Sequence, residues 1–245
     1  MCLGTDPDLQ AFASWLAVLS YTPALCGHID LPQYVCWVFS EVELCEQVFP
    51  AVRMAQSGLH DKFFAGRAIL TLRNHKILTF NSMLLAQLPR SITTFHGVDR
   101  ANTDNVGSGV EEFSREFLHS IQLPGMLPSE LQLKVGAPVM LLCNLQPSDG
   151  LCNGTHMLVM DIYSIHLIKV HLLTGSHHGS EHLLPCITLH SMSADLLFIL
   201  SHTQFPVKLS FAMTVNKSQG QSLGTVGVNL QILAFSHGQL YVALS

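Results

Sequence analysis

Apolar residues recur along this chain with two different periods, and the change of period marks its organisation. Pro7 after Asp6 is a helix start, and Leu9, Phe12, Ala13 and Leu16 then share one helical face. "SEVELCEQVF" predicts a second helix, with Ser40 and Glu43 as its capping-box pair. "RAILTL" reads as a buried strand, and "RNHKILTFNSMLLAQLP" as a helix opened by Asn74 and stopped ahead of Pro89. Residues 96–110, "HGVDRANTDNVGSGV", read as loop, because turn formers dominate them.

From Leu133 the period shortens to two. "APVMLLCNL", the turn "QPSDG", "THMLVMDIYS", "HLIKVHLLTG" and "EHLLPCITL" have the spacing of a small antiparallel barrel. Alternation returns at Val207 through Leu209, Phe211, Met213 and Val215, which predicts one strand. The polar run "NKSQGQ" comes next, then a second strand, "TVGVNL", and a last helix opened by Ser236 with Gln239 three residues on. Strand–helix, a β module, then strand–loop–strand–helix is the order of an α/β domain with a barrel inserted.

Composition narrows the class. Hydrophobic residues are 48% of the 245 and charged ones 12%, a globular and rather apolar balance. The formal charge of −5 provides no global positive field for nucleic acid. After Arg115 the fixed cations are Lys134, Lys169, Lys208 and Lys217, so phosphate binding there rests on lysines, backbone amides and neutral donors. Seven cysteines without a CxxC form no disulfide framework; with no signal peptide they point to the nucleus or another reducing compartment. Residues 9–29 carry no charge, yet Pro23, Gly27 and interspersed Gln10, Ser14, Ser20 and Thr22 argue against a membrane span.

The candidate chemistry is mostly a matter of what is missing. No GxxxxGK[ST] occurs, and no apolar strand ends in Asp-Glu; Glu111-Glu112 lies in a polar, helix-like stretch. Cys143, Cys152, His156, Cys186 and His190 contain two C-x3-H pairs suited to tetrahedral zinc, although fourteen histidines make such a grouping easy by chance. The run "KSQGQ" alone is a polar turn between strands.

"LQLKVGAPVMLLCNLQPSDGLCNGT", "QFPVKLSFAMTVNKSQGQSL" and "FSHGQLYVALS", in that order, closely resemble the C-terminal motifs of superfamily-one DNA helicases. Within that superfamily they resemble the RecD-like, petite-integration-frequency (PIF) type and the helicase of Helitron transposons, and "RAILTLRN" matches the motif opening the second motor domain. The resemblance implies a second RecA-like motor domain over 56–128 and 204–245, interrupted by an SH3-like barrel over 129–203. Residues 1–55 would then form a helical connector after a first motor domain. It implies backbone contacts to single-stranded DNA from Thr214, Asn216, Lys217, Ser218 and Gln219. Gly220, Gln239, Tyr241, Ser245 and Arg73 would lie near the nucleotide. ATP and magnesium are implied only when a first motor domain supplies the P-loop; for the isolated chain no cofactor, no resident metal and only weak DNA binding are expected. The arginine that comes after "YVALS" in the family is not among these residues, so the chain alone is expected to be inactive. Where the family has arginine, Cys143, His156 and Cys186 stand here; these are single-transition products of CG-starting codons, as in a decayed transposon copy. A barrel kept as a protein-interaction domain is a further reading that no residue favours or excludes.

Overall fold

Arg67–Thr71 is apolar on both sides of its pleat, a pattern that fits only a strand covered on both faces. In the computed structural model it takes that position. Residues 7–21, 32, 35–56, 61–102, 113–121, 126–191, 198–231 and 242–244 are described. In chain order the helices are α1 (Pro7–Tyr21), α2 (Glu41–Val48), α3 (Ala51–Met54), α4 (Asp61–Ala65), α5 (Asn74–Gln87), α6 (Arg115–Ser120) and α7 (Val215–Ser218). The strands are β1 (Arg67–Thr71), β2 (Thr93–His96), β3 (Val98–Asn102), β4 (Glu130–Leu133), β5 (Pro138–Leu141), β6 (His156–Ser164), β7 (Leu167–Leu172), β8 (Glu181–Pro185), β9 (Ile187–His190), β10 (Ile199–Gln204), β11 (Val207–Leu209), β12 (Ala212–Thr214) and β13 (Thr225–Asn229). Two compact units divide the chain: Met1–Pro50, Arg67–Phe80 and Ala212–Ser245 form one, and Ala51–Gly66 with Asn81–Phe211 the other. The last helix predicted from Ser236 lies largely outside the described residues.

In the first unit β1 sits between β12 and β13, parallel to both, with Ile69 opposite Ala212 on one side and Gly227 on the other. Helix α2 covers β13. Its start is capped as the sequence predicts: Glu43 N donates to Ser40 Oγ at 3.1 Å, while the Glu43 carboxylate accepts from Phe39 N at 3.1 Å. Gly227 is what lets the helix come close, since a Cβ there would lie 2.6 Å from Val48 Cγ2 and 2.8 Å from Leu44 Cδ1. Arg67 Nη1 donates to Val48 O at 2.9 Å, at the helix C-terminus where a cation is favoured, and Lys76 pairs with Glu41.

The second unit holds a five-stranded antiparallel sheet in the order β11-β5-β6-β7-β8, a β2-β4 pair, and the sheet β3-β10-β9. One core joins the first two, with Leu133, Val139, Leu141, Met157, Val159, Val170, Phe205 and Val207 fully buried among its members. Phe95 and Phe205 meet edge to face at 5.0 Å within it. Two register shifts interrupt β6 against β7, between Val159 and Asp161 and between Ile162 and Ser164, which adds the bend a strongly curved sheet needs. Lys134 is 6% exposed; its Nζ donates to Leu88 O at 2.7 Å and Ala86 O at 3.3 Å, beyond and within the last turn of α5. The ammonium thereby satisfies two carbonyls that a helix end leaves without partners, and burial draws its pKa below 10.5.

Two elements differ from the expectation. Val98–Asn102, read as loop, is a strand paired along its length with β10. Its Asp99 is buried against His202, Nδ1 to Oδ1 2.5 Å, so a residue that suggested a turn is instead an inward-facing partner. Gly97 precedes it, and a Cβ there would lie 2.4 Å from His202 Cε1. The alternation from Val207 to Val215 is also not one strand. Val207–Leu209 pairs with β5 and Ala212–Thr214 with β1, and the chain passes from one sheet to the other at Ser210–Phe211. Phe211, Met213 and Val215 remain buried after the change of sheet, and Ser210 and Ala212 are buried beside them, so the apolar alternation of the sequence is not an alternation of burial.

Two measurements test these contacts. Lys134→Met should lower the unfolding free energy by about 1.5–3 kcal/mol in urea titrations, the range for removing a charged hydrogen-bond donor, and Lys134→Ala by more. Cys45, 1% exposed on α2, has its thiol pKa pushed from 9.0 to about 11 by burial, with Glu41 adding to the effect. Between those values the unfolded chain has already lost the thiol proton and the folded one has not. Stability should therefore fall as pH rises from about 9 to 11, by up to roughly 2–3 kcal/mol, and Cys45→Ala should remove that part of the slope.

Candidate nucleic-acid interface

The three parallel strands of the first unit end together. Thr71 lies opposite Thr214 on one side and Asn229 on the other, so each strand finishes on a polar side chain at the carboxyl edge of the sheet. That edge is where parallel sheets present a crevice to ligands. Thr71 and Asn229 are nearly buried, at 3% and 7% exposure; Thr71 Oγ1 accepts from Arg73 N at 3.5 Å and Asn229 Oδ1 from Gln231 N at 3.1 Å.

Thr214 leads directly into α7, so the segment read as loop begins with a helical turn. Within it Asn216 and Lys217 are exposed. Val215 and Ser218 are buried, and Ser218 Oγ donates to Val215 O at 2.8 Å, inside the turn rather than outward. Gln219 and Gly220 are exposed, Gly220 at φ +83°, the left-handed conformation that reverses the chain. Gln221 closes the turn, with its N–H donating to Ser218 O at 3.0 Å and its Nε2 to Lys217 O at 3.2 Å. The cation, two side-chain amides and a glycine therefore lie on one short exposed bend after β12. Arg73 is exposed at the start of α5, two residues past the end of β1. Gln239, Tyr241 and Ser245 lie outside the described residues. Sequence reasoning missed Thr71 and Asn229; the available signal was a polar residue closing an otherwise apolar strand.

The zinc alternative is not supported. Among the described residues no group of three or more His, Cys, Asp and Glu side chains is placed to hold a metal ion. The five candidates are divided between sheets: His156 opens β6, whereas His190 ends β9 with its Nδ1 bound to Ser201 Oγ at 2.9 Å. Cys186 Sγ faces Ile165 O at 3.6 Å, and Cys143, Cys152 and Cys186 carry free thiols. No helix among the described residues is long and apolar enough to cross a membrane.

Comparison with known proteins places the chain beside one family. Residues 116–162 match the family described as DNA helicase Pif1, 2B domain. The ATP-dependent DNA helicase PIF1 of Rattus norvegicus is 34% identical over 169 residues, 67% of this chain and 23% of that protein. PIF1 of Homo sapiens is 38% identical over 120 residues, 47% of this chain and 17% of the protein, and PIF6 of Trypanosoma brucei brucei 34% over 134 residues, 50% and 17%. The Pif1 helicase structure from Candida albicans superposes with a TM-score of 0.60 at 21% identity, covering 96% of this chain and 50% of that one. Pif1 from Bacteroides in complex with ADP-AlF3 and ssDNA gives 0.57 at 21%, covering 98% and 46%. The chain thus belongs to the superfamily-one DNA helicase family. Within that superfamily it is of the PIF type, spanning 17–23% of these curated relatives.

Gly220→Ala tests the local geometry. Nothing lies within 4 Å of a Cβ at that position, so the change adds strain without collision. It should lower unfolding free energy by about 1 kcal/mol, read by chemical denaturation, whereas Gln219→Ala should change it by less than about 0.5 kcal/mol.

Proposed function

We propose that this chain is the C-terminal half of an ATP-dependent DNA helicase of the Helitron/PIF type, contributing single-stranded DNA contacts and one face of an ATP site. In this reading residues 56–128 and 204–245 form a second RecA-like motor domain, 129–203 an inserted SH3-like barrel and 1–55 the connector from a first motor domain. The observation that carries it is the common ending of three parallel strands at Thr71, Thr214 and Asn229, with β12 running straight into a bend that exposes Asn216, Lys217 and Gln219.

The chemistry of that bend suits a phosphate backbone. Lys217 offers a mobile cation, Asn216 and Gln219 neutral donors, and Gly220 close approach of the main chain. In this role the groups meet phosphates rather than base edges, so binding should be indifferent to sequence. A relative solved with single-stranded DNA and a nucleotide analogue supports the same assignment. ATP and magnesium belong to the complete motor. The 245 residues contain neither a GxxxxGK[ST] loop nor an apolar strand ending in Asp-Glu, so hydrolysis requires the first motor domain.

Fluorescence anisotropy of a labelled oligothymidylate, titrated with salt, tests the contact. Lys217→Ala should lower the slope of log affinity against log salt by about 0.7, one phosphate's share on a single strand. An unchanged slope would remove this bend from the interface. DNA-stimulated ATP hydrolysis by the chain alone should stay at background, and turnover abolished by Lys217→Ala would overturn the assignment.

A further inference from the structure

Strand β8 is the last of its sheet, and its pairing with β7 shows which of its main-chain groups are engaged. Leu172 N donates to Ser180 O at 2.9 Å and Cys186 N to His166 O at 3.2 Å. Between them His182 lies opposite Val170 and Leu184 opposite Ile168, in the same phase of the ladder. Alternate residues of an antiparallel strand turn both N–H and C=O the other way. Glu181, Leu183 and Pro185 therefore aim their main-chain groups away from β7, and no other strand pairs with them among the described residues. The proline agrees with this phase, since within a sheet it is tolerated where the missing N–H would face an open edge.

The side chains along this edge are exposed and of mixed character. Leu183 is 55% exposed and lies in one row with Lys169 and Asp161. Tyr163, 56% exposed, follows core-facing Ile162 and so shares the outer face with them. Lys169 Nζ donates to Glu181 Oε2 at 2.7 Å, and this hydrogen bond holds the Glu181 carboxyl below 4.5. One ammonium thus stands between the carboxylates of Glu181 and Asp161, which leaves the face with an excess of negative charge.

We propose that the free edge of β8 is a docking site for an extended peptide of a partner protein, which adds to the sheet as an antiparallel strand with an apolar residue opposite Leu183 and a lysine or arginine opposite Glu181. In that register every open group of the edge gains a partner. The peptide residue opposite Leu183 exchanges both hydrogen bonds with it, and the residue two positions later does so with Glu181. The residue two positions earlier donates to Pro185 O. A second copy of this chain fits less well: pairing about Leu183 would set Pro185 against Glu181 and leave that carbonyl without a donor. The formal charge of −5 likewise favours a basic partner over another copy. The site does not depend on the DNA-contacting role of the bend around Lys217.

The probe is a fluorescein-labelled threonine-rich peptide with a central valine and a lysine two residues after it, added to the whole chain. In the free protein the amides of Glu181 and Leu183 should exchange hydrogen fast and those of His182 and Leu184 slowly. A millimolar excess of peptide should slow the first two about tenfold. N-methylation of the central valine removes its donor and should weaken binding about tenfold in anisotropy, and exchanging the lysine for glutamate should do the same. Leu183→Pro removes a donor that faces solvent, so it should fold by circular dichroism and bind the peptide more weakly to a similar degree. Glu181→Lys should reverse the preference between the lysine and glutamate peptides. Binding indifferent to N-methylation, or fast exchange persisting at Glu181 and Leu183 with peptide in excess, overturns the site, and neither readout requires a protein variant. A dimer in sedimentation equilibrium that Leu183→Pro dissociates, with slow exchange at Leu183 before any peptide is added, would assign the edge to a second copy and overturn the peptide reading.

Discussion

The parallel pairing of β1 with β12 and β13 is the constraint on which the rest of the architecture depends. The five residues of β1 find their two neighbours far along the chain, Ile69 opposite Ala212 on one side and Gly227 on the other. Parallel strands cannot be joined by a tight turn, and the closure entropy of so long an intervening segment grows only slowly with its length. Everything between can therefore be an independently packed unit, provided it returns the chain to the sheet edge. The antiparallel strands around Phe95 and Phe205 do this with their own core, and the return is made at Ser210–Phe211, where the chain leaves β5's partner strand and becomes β1's.

The same pairing builds the candidate site. Because β1, β12 and β13 run in one direction and in register, their last residues come level, and the polar ones among them gather at one edge without any long-range polar contact being needed. The bend after β12 is then held by the sheet at one end and by Ser218 and Gln221 within itself. The exposed amides and Lys217 stand on this hydrogen-bonded turn. The chain is net acidic, yet the exposed bend after β12 presents the cation of Lys217.

Legibility in the sequence tracked the strength of the local pattern. β1 and the capping box at Ser40 and Glu43 were readable because a doubly buried strand and a reciprocal cap each leave an unambiguous trace. The strands β5, β6, β7 and β8 of the five-stranded sheet were readable from their alternation. β3 was not, because Gly97, Asp99 and Asn102 are turn formers by composition, and the partner that makes Asp99 an inward residue lies a hundred positions away. The division of Val207–Val215 between two sheets was hidden for a different reason: large apolar residues recur at every second position through the transfer, at Val207, Leu209, Phe211, Met213 and Val215, so pattern alone cannot show that the partner has changed. At the candidate site, Lys217 and its neighbours were proposed from resemblance, while Ser218's inward hydroxyl depends on its own helical turn and the level placement of Thr71 and Asn229 on strand register, which composition does not carry.

The contact between Gly97 and His202 bears on how this chain can vary through time. A side chain at 97 is excluded while the imidazole occupies its place, and shrinking residue 202 first removes the partner that sits against buried Asp99. Each of the three positions is thus sampled only against the current state of the other two. Substitutions here are epistatic, and the order in which they arise decides which are survivable: lineages of this fold should have moved among a few compatible triplets rather than drifting through each site independently.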